Sequence, residues 1–296
     1  MTDLVTEQEM RDARHVGFVA GGHQVLKQLW WKEISKLVGA YDPLTVLRNL
    51  IDAMFYTGTG ELEKVKELPI LQGNYEKNVR ILQRAMIFLG EAMERERFTD
   101  ILGAADQELR GKGGQDANEA FYTPTSVSDC MGELIGGDGD PVQAKLESGG
   151  IVTVYDPTVG AGRLIMSFCK KHAKYLNQIR AYGTDIEQNA VRMFFVNCML
   201  NGIAAEVKHG NELMLEYWAT YYTPEWHVYE QDRKLKAHVQ QMRAIFESMP
   251  LPEPQETPAA AETDNSTPTE EKAQETPAEG EKMDVTIQNG QMTFNF

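Results

Sequence analysis

The stretch Val152-Thr153-Val154-Tyr155-Asp156-Pro157-Thr158-Val159-Gly160-Ala161-Gly162-Arg163-Leu164 constrains the fold of this chain more than any other. A β-branched run stops at an acid and a proline. Two glycines follow at alternate positions, and Leu164, Ile165, Met166 and Phe168 then resume at helical spacing. The pattern predicts a strand, a tight glycine turn and a helix start. Such a turn brings backbone N–H groups and a helix N-terminus close to a ligand, because glycine has no Cβ to block the approach or to penalise positive φ.

The segments that follow extend the pattern. Ile179 to Asp185 reads as a second strand ending in an acid, Glu187 to Asn201 as an amphipathic helix, and Ala204 to Lys208 as a third strand ending at His209-Gly210-Asn211. Strand, helix, strand, helix, strand at these lengths predicts an α/β fold with a parallel sheet and right-handed crossovers. Ligands on such sheets lie at the carboxyl ends of the strands, where Asp156, Asp185 and Asn211 collect. Asp185 stands 23 positions after Gly162, close to the ~20 expected between a glycine turn and a ribose-binding acid. Taken one at a time, each of these acids also suits a helix cap or a solvated turn.

Residues 1–110 read as helical. Val25, Leu26, Leu29, Trp30, Ile34 and Leu37 recur near a 3.6 period, and Asp42-Pro43 offers a cap and a first-turn proline to a second helix through Met54. A third helix runs from about Asn74 to Arg97, and a short segment, Phe98 to Leu109, follows. Neighbours on a helix diverge by about 100°, so one of Trp30 and Trp31 is expected in the core and the other at an interface or a surface. Gly111-Lys112-Gly113-Gly114-Gln115 reads as a connector. Thr123-Pro124 then opens a helix through Val127, Met131, Leu134 and Ile135.

After Asn211 the expected pattern changes. Trp218, Tyr221, Tyr222 and Trp226 form an aromatic group with no strand-like run, and Pro224 to about Met249 reads as a long charged helix. Residues 250–282 are rich in Pro, Glu, Thr and Ala, too poor in apolar groups to fold, and read as a disordered acidic linker. In the last fourteen residues Asn289-Gly290 signals a two-residue hairpin that pairs Ile287 with Met292 and Val285 with Phe294 on one face. A lone hairpin is marginal in water, so this one is expected to dock on something.

Charge narrows the partners. Of a net −15, residues 250–296 carry ten acids against two lysines, leaving 34 acids and 27 bases in residues 1–249. The folded part lacks the basic footprint of a protein that holds DNA alone, so a DNA role needs a partner or a local basic face. Cys130, Cys169 and Cys198 form no CxxC pair and are expected buried and reduced; no metal site is assigned. The N-terminus shows no signal pattern, and no apolar run approaches the ~18 residues of a membrane span. A cytoplasmic protein without a membrane role is expected.

Phe121-Tyr122-Thr123-Pro124, Asp156-Pro157-Thr158-Val159-Gly160-Ala161-Gly162, Gly183-Thr184-Asp185-Ile186 and His209-Gly210-Asn211-Glu212-Leu213 occur in that order. The set resembles the S-adenosylmethionine half of N6-adenine DNA methyltransferases, most of all the modification subunits of type I restriction systems and their phage and mobile-element relatives. Asp100-Ile101-Leu102-Gly103 with Glu108-Leu109 also resembles the segment preceding the Tyr-Thr-Pro motif there, so the likeness covers roughly residues 98–215.

The resemblance implies a partial Rossmann-like methyltransferase sheet that binds S-adenosylmethionine. Thr123 and Pro124 would lie near the methionine end, and Asp156, Pro157, Gly160 and Gly162 would form the turn beneath the cofactor. Asp185 would bind the ribose, Ile186 would pack on the adenine, and Asn211 would sit by the adenine edge. A dinucleotide dehydrogenase, the rival within the fold, lacks its third glycine near Ile165; a small-molecule methyltransferase explains the Tyr-Thr-Pro order poorly.

The family's catalytic loop, Asn or Asp followed by Pro-Pro and an aromatic, is missing, since the chain has no Pro-Pro pair. Thr223-Pro224-Glu225-Trp226 is the nearest string, and no strand is expected before it. Four regions follow: 1–110 helical, 111–249 methyltransferase-like, 250–282 linker, 283–296 hairpin. Two functions follow as well. Either a partner supplies the catalytic loop of an adenine-N6 methyltransferase, or the fold is a degenerate one kept for assembly. In the family the first strand is central, so the hairpin, another copy or a separate subunit is expected to cover its open edge.

Overall fold

A computed structural model describes residues 4–15, 25–113, 141–248, 284–288 and 291–295. The chain divides into two compact units, Met1–Glu247 and Ser248–Phe296. Thr123, Pro124, Cys130 and residues 250–282 lie outside the described residues, as do Asn289 and Gly290.

The first unit opens with helices α1 (Glu7–His15), α2 (Leu29–Ile34), α3 (Pro43–Thr59), α4 (Leu62–Lys66), α5 (Tyr75–Arg95) and α6 (Ile101–Gly113). Asp42 caps α3, its carboxylate accepting from the Thr45 N–H at 3.0 Å, and Pro43 fills the first turn where no donor is needed. Leu47, Leu50, Ile51 and Phe55 are fully or almost fully buried. Two expectations fail here. Trp30 and Trp31 are both buried, their rings edge to face at 5.8 Å, because α2 is short and covered on more than one side. Gly111, Lys112 and Gly113 belong to α6 and not to a loop, since the helix runs on through Gly111 and ends at Gly113.

After α7 (Pro141–Glu147) the α/β part follows: β1 (Val152–Asp156), α8 (Arg163–Lys171), β2 (Ile179–Asp185), α9 (Gln188–Asn201), β3 (Ala205–Asn211), β4 (Glu216–Tyr222) and α10 (Pro224–Ser248). The sheet order is β1-β2-β3-β4. The first three strands are parallel, with Asp156 level with Gly183 and Asp185 level with His209. Helix α9 covers one face, burying Phe194 and Phe195, each contributing roughly 2–3 kcal/mol by area. It also ties the sheet to the helical region: Phe195 meets Phe55 at 5.0 Å, and Arg192 pairs with Asp52 at 2.5 Å.

Strand β4 corrects the sequence reading, which expected no strand after Asn211. It turns back antiparallel on β3, with Glu206 opposite Tyr222 and an irregularity at His209/Gly210. Ala219 and Tyr221 are half-buried, Tyr221 meeting Phe55 at 4.8 Å, while the rest of the strand is exposed; its sequence signal is aromatic and threonine content, which suits an extended edge. Among the described residues β1 pairs with β2 alone. No helix among the described residues is long and apolar enough to cross a membrane.

In the second unit β5 (Asp284–Gln288) and β6 (Gln291–Asn295) form an antiparallel pair, with Ile287 opposite Met292 and Val285 opposite Phe294. This is the register the Asn-Gly turn implies.

Candidate functional site

The glycine turn lies at the carboxyl end of the sheet. The Val159 N–H donates to the Thr184 carbonyl at 2.9 Å, which stitches the turn onto β2. Gly160 and Gly162 take φ of +55° and +89°, and Gly162 caps α8. Side chains at these two positions would be strained, so the glycines of the motif are a backbone requirement.

Asp185 crosses to this turn from the end of β2. Its Oδ2 accepts from the Gly160 N–H at 2.8 Å and its Oδ1 from the Glu187 N–H at 2.9 Å. One carboxylate thus fixes both the turn and the start of α9. Ile186, the next residue, is 59% exposed. Asp156 is buried and accepts from the Thr158 N–H at 3.0 Å, closing the bend over Pro157, which is exposed. Asn211 ends β3 two residues beyond the level of Asp185, and its side-chain oxygen holds the β3–β4 loop by accepting from the Met214 N–H at 3.2 Å. The structure therefore brings Asp156, Pro157, Gly160, Gly162, Asp185 and Ile186 to one edge, with Asn211 further along it.

Burial pushes the Asp156 carboxyl above the ordinary aspartate range; the Thr158 N–H works against this, and the nearby Asp185 charge adds to it. A carboxyl raised in the folded state is harmless below its unfolded value of about 3.9. It costs stability as pH rises through the folded value and the native state has to hold the ion. Asp156→Asn keeps the acceptor and removes the charge. The expected result is a higher melting temperature than wild type at pH 7, with the gain vanishing near pH ~3.5, read by thermal denaturation at the two pH values.

Three residues to which the sequence reading gives no role, Asp100, Arg163 and Asn197, support the turn. Asp100, buried just before α6, accepts from Arg163 Nε at 2.7 Å, from the Gly103 N–H at 2.7 Å and from Asn197 Nδ2 at 3.0 Å. Asn197, fully buried on α9, also donates to the Ala161 carbonyl inside the turn at 2.9 Å. The signal for Asn197 is a lone amide in the apolar run from Met193 to Cys198. Asp100 lies in a string that itself resembles the family, but nothing local gives its partners.

Thr223-Pro224-Glu225-Trp226 sits at the other end of the sheet. Strand β4 does precede it, contrary to expectation. However, the Thr223 side chain is fully buried and takes part in locking the corner onto the start of β3: its Oγ1 accepts from the Ala205 N–H and donates to the Ile203 carbonyl, both at 2.9 Å. Trp226 packs on Tyr182 at 5.4 Å. Ala205 and Asn211 are six residues apart on one strand, or about 20 Å at ~3.3 Å per residue.

Residues 99–235 match a family model described as N-6 DNA Methylase. Among solved structures the chain is similar to the type I restriction-modification system methyltransferase subunit from Streptococcus thermophilus. Identity is 18% over 54% of this chain and 38% of that one, with a TM-score of 0.27. This chain therefore spans well under half the length of that subunit. No curated protein matches.

Proposed function

We propose, on the match of residues 99–235 to the N-6 DNA methylase model, that the chain binds S-adenosylmethionine at the Gly160–Gly162 turn within a DNA-modification assembly. A partner chain supplies the groups that handle the target adenine. The observation that carries this reading is the double use of Asp185. Each of its oxygens accepts one backbone N–H, which leaves each a second lone pair. The carboxylate can thus hold the turn shut and accept two ribose hydroxyls together. The exposed Ile186 offers an apolar face to the adenine, Asn211 lies toward its edge, and Asp156 and Pro157 shape the floor. Thr123 and Pro124 are assigned to the methionine end.

When bound, the cofactor supplies an electrophilic methyl group on a sulfonium. The chain's own residues bind and orient it. The second half of the chemistry needs an acceptor for the adenine amine hydrogens and an aromatic to hold the extruded base. Thr223 and Trp226 are committed to a corner about 20 Å from the cofactor edge. The acidic balance of residues 1–249 likewise supports DNA contact through a partner or a local basic face. A cytoplasmic location fits this role.

The test is methyl transfer from labelled S-adenosylmethionine to adenine-containing duplex DNA. The purified chain alone is expected to give no more label than a protein-free control. Transfer by the chain alone would refute the missing-half reading. A second reading, a fold kept as an assembly surface without cofactor, draws on the internal satisfaction of the turn: the Gly160 and Gly162 N–H groups already have partners in Asp185 and the Val159 carbonyl. The two readings part on cofactor binding.

A further inference from the structure

Strand β4 leaves one edge of the sheet open, and the register fixes what that edge offers. The Thr223 N–H donates to the Ala205 carbonyl at 3.0 Å, and the Ala181 N–H donates to the Ala204 carbonyl at 2.9 Å. Main-chain groups alternate sides along a strand, so Ala205 and Val207 face β4 while Ala204 and Glu206 face β2. Val207 stands opposite Tyr221, and Glu206 and Lys208 opposite Tyr222 and Thr220. Tyr221 therefore directs its N–H and C=O to β3, and Thr220 and Tyr222 turn theirs away from the sheet. Those four groups have no main-chain partner among the described residues. Edge strands are commonly guarded by a charge, a proline or a bulge. Residues 219–222 are Ala-Thr-Tyr-Tyr, and the irregularity at His209/Gly210 falls before them.

A groove of about 610 Å³ lies along this unguarded stretch. Thr220, Tyr221 and Tyr222 line it from the strand, and residues 57–61 line it from the end of α3. Its size falls in the ~300–1,000 Å³ range of ligand sites. The Gly60 and Glu61 N–H groups go to the Thr57 and Tyr56 carbonyls at 3.3 and 2.8 Å. The Gly58 and Thr59 carbonyls accept no main-chain N–H among the described residues, and they carry the partial negative charge of a helix C-terminus. Glu61 beside them is already paired with Lys64 and adds little.

We propose that the groove takes an extended segment of another protein, which adds to β4 as a further strand and points a lysine or arginine at the end of α3. A donor and an acceptor on Thr220, repeated on Tyr222 about 7 Å along, match the two-residue repeat of an extended main chain. The side chain is set by three features: unpaired carbonyls that take donors, tyrosine rings that attract cations, and the acid excess of residues 1–249. The same edge of a second copy brings no lysine or arginine, since Glu216–Tyr222 holds none. The groove borders the end of the sheet away from Asn211, so the proposal stands whether or not the cofactor reading holds.

The probe is a fluorescein-labelled nonapeptide of alternating threonine and lysine, titrated against the full chain by fluorescence anisotropy at about 0.15 M salt. Saturable binding is expected, at least ~10-fold tighter than with glutamate in place of lysine. Methylating the amide nitrogens of every second residue separates main-chain pairing from charge. The set that faces β4 is expected to abolish binding when methylated, and the set that faces water to leave it within ~2-fold. Thr220→Pro removes an outward N–H and no bond to β3, so it is expected to weaken binding at least ~10-fold with an unchanged melting temperature. The methylated peptides need no variant, so the test holds even if that chain fails to fold. No binding by wild type up to ~1 mM peptide, equal effects of the two methylated sets, or equal binding of the glutamate peptide overturns the proposal. So does a wild-type dimer in ultracentrifugation that Thr220→Pro makes monomeric, which would assign the edge to a second copy.

Discussion

Gly162→Ala is expected to destabilise the first unit by about 3 kcal/mol and to lower its melting temperature by roughly 6–12 °C. Two costs act together. At φ +89° an alanine sits in the left-handed region, worth ~1 kcal/mol. Its Cβ would also lie 2.3 Å from Cδ2 and 2.8 Å from Cε2 of Phe194. That ring cannot yield cheaply, because it is fully buried and its other side already fills the space at Gly183, where a Cβ would come within 2.5 Å. The glycine therefore lets α9 close on the turn as well as letting the chain bend. Gly90→Ala is the control. Gly90 lies inside α5, and a Cβ added there would meet no atom within 4 Å, so alanine should stabilise slightly, by ~0.5–1 kcal/mol. Thermal denaturation of the two variants checks both. A Gly162→Ala protein melting with wild type would remove the steric account of the turn.

The second large effect is expected at Asp100. Asp100→Ala deletes a buried carboxylate that joins the start of α6, the first residue of α8 and the middle of α9 through three hydrogen bonds of 2.7–3.0 Å. Two of its partners, Arg163 and Asn197, are themselves largely or fully buried and would face the gap. Charge-assisted bonds in such a setting place the loss at about 3 kcal/mol. Asn197 also holds the Ala161 carbonyl, so the turn should loosen with it. Denaturant unfolding measures the loss. Asp100→Asn, which keeps an acceptor for Gly103 or Asn197, should cost less than alanine. Equal stability for wild type and Asp100→Ala would show that the cluster carries no weight.

Local features are legible in the sequence and crossing ones are not, for physical reasons. The glycine turn can be read because strand, bend and helix start are contiguous and each has its own residue chemistry. The register of β5 on β6 can be read because Asn289-Gly290 fixes which residues face each other. Asp185 falls at the expected edge, but its bond to Gly160 spans 25 positions and its bracing role emerges only with the crossover formed. Asp100 and Asn197 are 97 positions apart, and neither shows its partner in its own neighbourhood. Strand β4 escapes because aromatics stand at successive positions, Tyr217-Trp218 and Tyr221-Tyr222, so no apolar alternation marks its half-buried side at Ala219 and Tyr221. Trp31 escapes because periodicity gives one helix face, and burial here comes from more than one side.

The central claim is that this chain carries the cofactor half of a methyltransferase site on the Gly160–Asp185 edge. Calorimetric titration of the purified chain with S-adenosylmethionine tests it most directly. The account predicts saturable binding near one cofactor per chain, weakened at least ~10-fold by Asp185→Ala, which removes both the turn latch and the acceptor for the ribose. No heat of binding from a folded wild-type chain, or binding indifferent to Asp185→Ala, would contradict it.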